Sequence, residues 1–345
     1  MRRFAVTAVA LAASACAHRA APVRPPPLPP PPPSPAPASA PRACPAVLAR
    51  AQGNVTDLVL SGDHLYWVAQ GSWKLGFTDG AIRRVGLDGL GLGTVAEASG
   101  PRGLLVDATG VFWTAEPTLR QDDQVRAAPP EARAGTLWFL PSAGGQPRLL
   151  ASGLVDPLFL QAGGDRLFFS SGRLKAVLAV PRAGGAPEVL GEAPGRVSQI
   201  ALDATHVYFG IDEYHTGKVG RVPRAGGPIE ILADGLDRPW GVVLDDGHVY
   251  FATQGGYRGA ELVARVAKTG GPLERLASLP RPKRLALQGA WLYVATEKGI
   301  ARVGSAGGAV RFLSSTAASA VAVDGAYVYA AEADDTITCV PNPGG

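Results

Sequence analysis

After residue 44 one theme returns again and again, and few folds are open to a chain built this way. Its clearest copy reads QIALDATHVYFG (199–210), then KVGRVPRAGG (218–227), then PIEILADG (228–235). The first piece recurs as LVLSGDHLYW (58–67), LLVDATGVFW (104–113), VVLDDGHVYF (242–251), LALQGAWLYV (285–294) and VAVDGAYVYA (321–330), with a looser copy over 158–169. The second recurs as WFLPSAGG (138–145), LAVPRAGG (178–185), ARVAKTGG (264–271), ARVGSAGG (301–308) and TCVPNPGG (338–345), and most divergently as RRVGLDGLG (83–91). Within a unit the apolar residues come in short runs such as Ile200-Ala201-Leu202 and Val207-Tyr208-Phe209, split by the polar turn 203–206. Runs of this kind, bounded by turn residues, are strands. The Gly226-Gly227 pair supplies positive-φ positions for a second hairpin. No segment sustains a capped 3.6-residue period, so each unit reads as four short strands.

An aromatic slot marks each unit at Tyr66, Phe112, Phe168, Tyr208, Tyr250, Tyr293 and Tyr329, spaced by 36 to 56 residues. Four-stranded units at that period stack side by side and bury one another's faces. The chain is therefore expected to be all-β, a seven-bladed β-propeller over residues 44–345. The seventh unit stops after its Gly-Gly turn and lacks an outer strand. Residues 45–51 match 187–193, the outer strand of another unit, and are expected to complete the last blade and close the ring. Cys44 and Cys339 then fall near one another, and a Cys44–Cys339 disulfide is expected.

The amino terminus reads as an address. Arg2 and Arg3 precede a short apolar stretch, and Ala13-Ser14-Ala15 precede Cys16. This is the layout of a signal peptide over residues 1–15, and the apolar run is too short to span a bilayer. The Ala-Ser-Ala-Cys ending resembles a bacterial lipobox, which makes Cys16 the lipidated first residue of the mature chain. Simple secretion after ordinary cleavage is the alternative. Ala17 in place of an acidic residue points, by the same resemblance, to the outer membrane, facing the periplasm or the cell surface. Twelve prolines among residues 22–41 cannot build a core. Residues 16–43 are expected to form a proline-rich stalk with a reach of ~80 Å at ~3.1 Å per residue. Net charge is only +4, with no Lys/Arg run, which speaks against nucleic acid as a partner.

The recurring Asp followed by Val-Tyr-Phe resembles the strand signature of the NHL and YWTD propeller families. The resemblance covers the whole repeat region and implies architecture alone. The YWTD tetrapeptide itself is absent, and YWTD rings have six blades, so no functional residue carries over. Seven-bladed antibiotic lyases form a family too, and their site motif finds no residue-by-residue match here.

For chemistry the repeat register is the guide. His64, His206 and His248 occupy one turn slot in three units and, being in different blades, cannot converge on one ion. Asp107, Asp203, Asp245 and Asp324 are turn acids by the same reasoning. Asp212, Glu213 and His215 share one loop and could hold a cation or act as acid and base, as the low-ranked alternative to no metal at all. The stronger signal is basic. Arg196, Arg238 and Arg281 lie six residues before Leu202, Leu244 and Leu287 in consecutive units, on entry loops to the central channel. Arg102, Lys283, Arg284 and Trp240 lie nearby in register. Guanidinium groups suit carboxylate or phosphate partners. A solvated row of loop arginines is the bland alternative. The long loop 116–135, with Arg120, Asp122, Asp123 and Arg126, is placed to flank the same face.

These residues favour a monomeric ring in the cell envelope that binds or scaffolds an envelope protein or a small anionic ligand, without a cofactor. Two other readings stay open: a metal-assisted hydrolase or lyase with a loop-built site, and a structural component of an envelope assembly. Fold by itself does not choose among them.

Overall fold

The computed structural model describes residues 44–50, 52–116, 134–255 and 261–343. Cys16, the signal peptide, the stalk and most of the 116–135 loop lie outside the described residues.

Among the described residues twenty-eight strands form seven four-stranded antiparallel sheets. In chain order blade I spans 55–97, blade II 101–154, blade III 157–192, blade IV 197–236, blade V 239–278, blade VI 285–312 and blade VII 318–341. Each blade runs from its first strand outward, and the first strands of successive blades neighbour one another around the ring. Second strands such as His206–Ile211 and Trp291–Thr296 are buried on both faces after their first residue, because a neighbouring blade lies against each side. That explains their unbroken apolar runs, where a strand exposed on one face would alternate. Outer strands such as Glu188–Glu192 keep one face in water. A seven-bladed β-propeller is the fold.

The core is not one cluster but seven, one at each junction between blades. At the III–IV junction Phe168 and Val177 meet Val207, Phe209 and Val222. All seven slot aromatics are buried. A blade removed from its neighbours would expose both such faces, which is why the blades depend on one another.

Ring closure occurs as the sequence predicts, with one change of length. The outer strand of blade VII is Val47–Ala49, three residues where a match over 45–51 suggested more. It pairs antiparallel with Ile337–Pro341, and the register shifts between Val47 and Ala49. The Cys339 N–H also donates to the Ala46 carbonyl at 3.1 Å. Cys44 and Cys339 are disulfide-bonded, with Cα atoms 6.3 Å apart.

The turn acids hold their hairpins. Asp203 Oδ1 accepts the N–H groups of Thr205 and His206, each at 2.9 Å, while Oδ2 accepts Tyr208 Oη at 3.0 Å. Asp245 and Asp324 repeat this arrangement with Tyr250 and Tyr329. The same turns carry ties between blades: Lys268 Nζ of blade V lies 3.0 Å from Asp203 of blade IV, and Arg221 of blade IV donates to the Lys268 carbonyl at 2.8 Å. Gly226 and Gly227 have φ of +84° and +147°, as the second hairpin requires.

Candidate functional site

Each blade is entered through a connector from the outer strand of the blade before. In six connectors the entry slot is Asn54, Gly100, Asp156, Arg196, Arg238 or Arg281. Five of these residues are left-handed: Asn54 (φ 51°), Gly100 (60°), Asp156 (47°), Arg238 (54°) and Arg281 (39°). The slot carbonyl is then tied to a residue at, or one past, the end of the second strand of the same blade. Gln70, Glu116, Asp212 and Gln254 donate their N–H groups to Asn54, Gly100, Arg196 and Arg238 at 2.7–3.1 Å. The repeat therefore sets acidic or amide residues beside the slot.

This pairing alters the arginine row. Arg196 Nη2 lies 3.9 Å from Asp156. Arg238 Nε donates to Asp212 at 3.0 Å and stacks over Tyr214 at 5.0 Å. The bond to Asp212 raises the Arg238 pKa. Arg281 lies 3.5 Å from Glu297, with both side chains exposed. Arg238 and Arg281 line an outer pocket of about 470 Å³ with Tyr214 and Glu261.

The register position two residues beyond the slot leads to the channel mouth. There Arg102, Trp240 and Lys283 meet Arg196, Leu158, Phe159 and Arg284 around a cup of about 280 Å³. Four cations line the cup, and none of its lining residues is acidic. Gln254 and Lys283 border both the cup and the outer pocket. The structure thus brings Arg102, Arg196, Trp240 and Lys283 into one cavity and places Arg238 and Arg281 in its neighbour.

The floor was not anticipated in full. Phe159 and Arg284 line the cup and also a narrower void of about 140 Å³ along the channel, so they partition the two. The Arg284 guanidinium sits 4.5 Å over the Phe159 ring, donates to the Thr56 carbonyl at 3.1 Å and lies 3.8 Å from Asp57. Phe159 meets Trp240 edge to face, ring centroids 5.8 Å apart. Phe159 itself has φ of +49°, while the other described residues at its register position (Asp57, Gly103, Gln199, Gly241, Arg284, Ala320) have none. A bulky residue in that region is a genuine outlier and costs about 1–3 kcal/mol. The looser copy of the repeat over 158–169 is the one sequence signal that could have singled it out.

Electrostatics follow from this crowding. Burial pushes the Asp57 carboxyl above its ordinary pKa, and Arg284 only partly offsets it. Burial lowers the Arg102 pKa; Asp156 opposes that shift, and the nearby Arg196 adds to it. Arg102 Nε is buried without a hydrogen bond. Among the described residues the Arg102 and Lys283 side chains hold no ion pair.

Asp212, Glu213 and His215 are drawn to three separate partners: Arg238, the Arg196 N–H at 3.2 Å, and Asp237 at 3.2 Å from His215 Nδ1. No group of three or more His, Cys, Asp and Glu among the described residues is arranged to hold a metal ion. His64, His206 and His248 each lie 6.1 Å from the aromatic ring two residues on, in their own blades. Arg120, Asp122, Asp123 and Arg126 lie outside the described residues. No helix among the described residues is long and apolar enough to cross a membrane.

No family model matches the chain, and no curated protein matches it. Solved structures do. Catalytically inactive virginiamycin B lyase from Staphylococcus aureus, solved with quinupristin, matches at 15% identity over 86% of this chain and 97% of that one, with a TM-score of 0.64. Hydrazine synthase of Kuenenia stuttgartiensis matches at 14% identity over 84% and 96%, TM-score 0.63. A chain of the nidogen/laminin complex matches at 17% identity over 65% and 86%, TM-score 0.51. At these identities the likeness is one of fold, and the chain takes its place among proteins built as β-propellers.

Proposed function

We propose that this chain is an exported, lipid-anchored binding protein of the cell envelope, and that its channel mouth receives an anionic group of a ligand or partner. The observation that carries the reading is a surplus of positive charge: four cations line the cup without an acidic lining residue, and among the described residues only Arg196 and Arg284 of the four have a carboxylate within 4 Å. Arg238 already has a carboxylate partner at hydrogen-bond distance; Arg102 and Lys283 do not. A half-buried cation without a partner is poorly solvated, and an entering carboxylate or phosphate relieves that cost through charge-assisted hydrogen bonds. The ring holds these groups at or just before the starts of first strands, so little ordering is needed on binding. The Cys44–Cys339 disulfide is consistent with an oxidising compartment.

The test is calorimetry on the full chain with a panel of small carboxylates and phosphates, repeated on an Arg102→Gln/Lys283→Gln double variant. The double variant is expected to bind at least about tenfold more weakly, equivalent to ~1.4 kcal/mol. Unchanged affinity in a folded double variant removes the reading.

A further inference from the structure

The cup is not only cationic. Its apolar side consists of Leu158, Phe159 and Trp240, and the last two pack edge to face at 5.8 Å. Phe159 holds φ of +49° in doing so. Strain of this kind persists only where surrounding structure over-determines it, and it concentrates at ligand clamps and active sites. Arg284 is already committed to the Phe159 face, the Thr56 carbonyl and Asp57. The cations left to meet a ligand are Arg102 and Lys283, with Arg196 loosely held at 3.9 Å from Asp156.

We infer that the cup takes a compact, single-ring carboxylate, with its carboxylate between Arg102 and Lys283 and its ring against Trp240. The inference rests on the anion-binding reading above and adds the ligand's class. Three features support it. A volume of about 280 Å³ lies just below the ~300 to ~1,000 Å³ of drug-sized ligand pockets, a size that suits a single ring. A planar carboxylate matches the planar guanidinium of Arg102, which lines the cup. An apolar wall beside a cation rewards a ligand with a charged end and an apolar body, whereas inorganic phosphate would lose hydration on that wall without return.

The experiment titrates the full chain with phenylacetate, acetate and inorganic phosphate, reading Trp fluorescence and calorimetry. Phenylacetate is expected to bind at least tenfold more tightly than acetate or phosphate. Trp240→Ala is expected to bring phenylacetate down to the level of acetate. Arg102→Gln is expected to weaken both carboxylates. Trp240→Phe keeps an apolar ring and is expected to keep most of the preference, which separates loss of the wall from loss of the fold. Equal binding of acetate and phenylacetate, or a preference that survives Trp240→Ala, overturns the ring assignment. Preference for phosphate overturns the carboxylate class and leaves the anion-binding reading standing. No binding by any of the three overturns both.

Discussion

At the scale of single residues, the turn acids show how one carboxylate does several jobs. Burial taken alone would raise the pKa of Asp203, but the N–H groups of Thr205 and His206, with Lys268 and Tyr208, outweigh it and hold the carboxyl far below the ordinary range. A folded-state pKa below the unfolded value of ~3.9 stabilises the protein where the group is ionised. Asp203→Ala is therefore expected to cost about 1–3 kcal/mol at pH 7 in urea denaturation. The difference from the wild type should persist above about pH 5 and shrink as pH falls through the acid range toward the folded pKa. These acids were legible because they recur in register. Phe159 was not, since nothing in its own neighbourhood of sequence demands a left-handed aromatic residue. Its conformation answers to Trp240 and Arg284, which are distant in the chain.

At the scale of elements, strands were read well because each carries its own signature: an apolar run, a polar turn, a Gly-Gly pair. What local sequence could not supply was where pairing stops. The closing strand is Val47–Ala49, and its register against Ile337–Pro341 shifts within those three residues. Three residues of pairing make a weak seam, so the disulfide should matter there. Cys44→Ser is expected to lower stability by about 2–5 kcal/mol, measured by denaturation against wild type under non-reducing conditions. A loop of 295 residues between the two cysteines makes this cross-link favourable in chain-entropy terms. The short 3-10 turn Trp73–Leu75 carried no sequence signal and was not anticipated.

At the scale of the whole molecule, location and recognition are proposals that a few measurements decide. Metabolic labelling with palmitate is expected to tag the chain in its native host, and Cys16→Ala to abolish the tag and release the protein from membranes. Persistence of the chain in the membrane fraction after that substitution would count against a lipid anchor. The sequence alone determined the blade count and the closure, because a repeated pattern of strands and turns states its own period and its own missing piece. It also pointed to Arg196, Arg238 and Arg281, with Arg102, Lys283, Arg284 and Trp240 nearby, at one mouth of the channel, because a ring puts equivalent register positions around one axis. Only the tertiary structure decided which of those charges are already spent. Arg238 meets Asp212 across the IV–V junction, and Arg196 approaches Asp156 across the III–IV junction. Such pairings depend on how blades sit against one another, a distance of a few ångströms that no single unit encodes. The same packing turned Phe159 under Arg284 and set it against Trp240, giving the cup an aromatic side that the repeat register did not show.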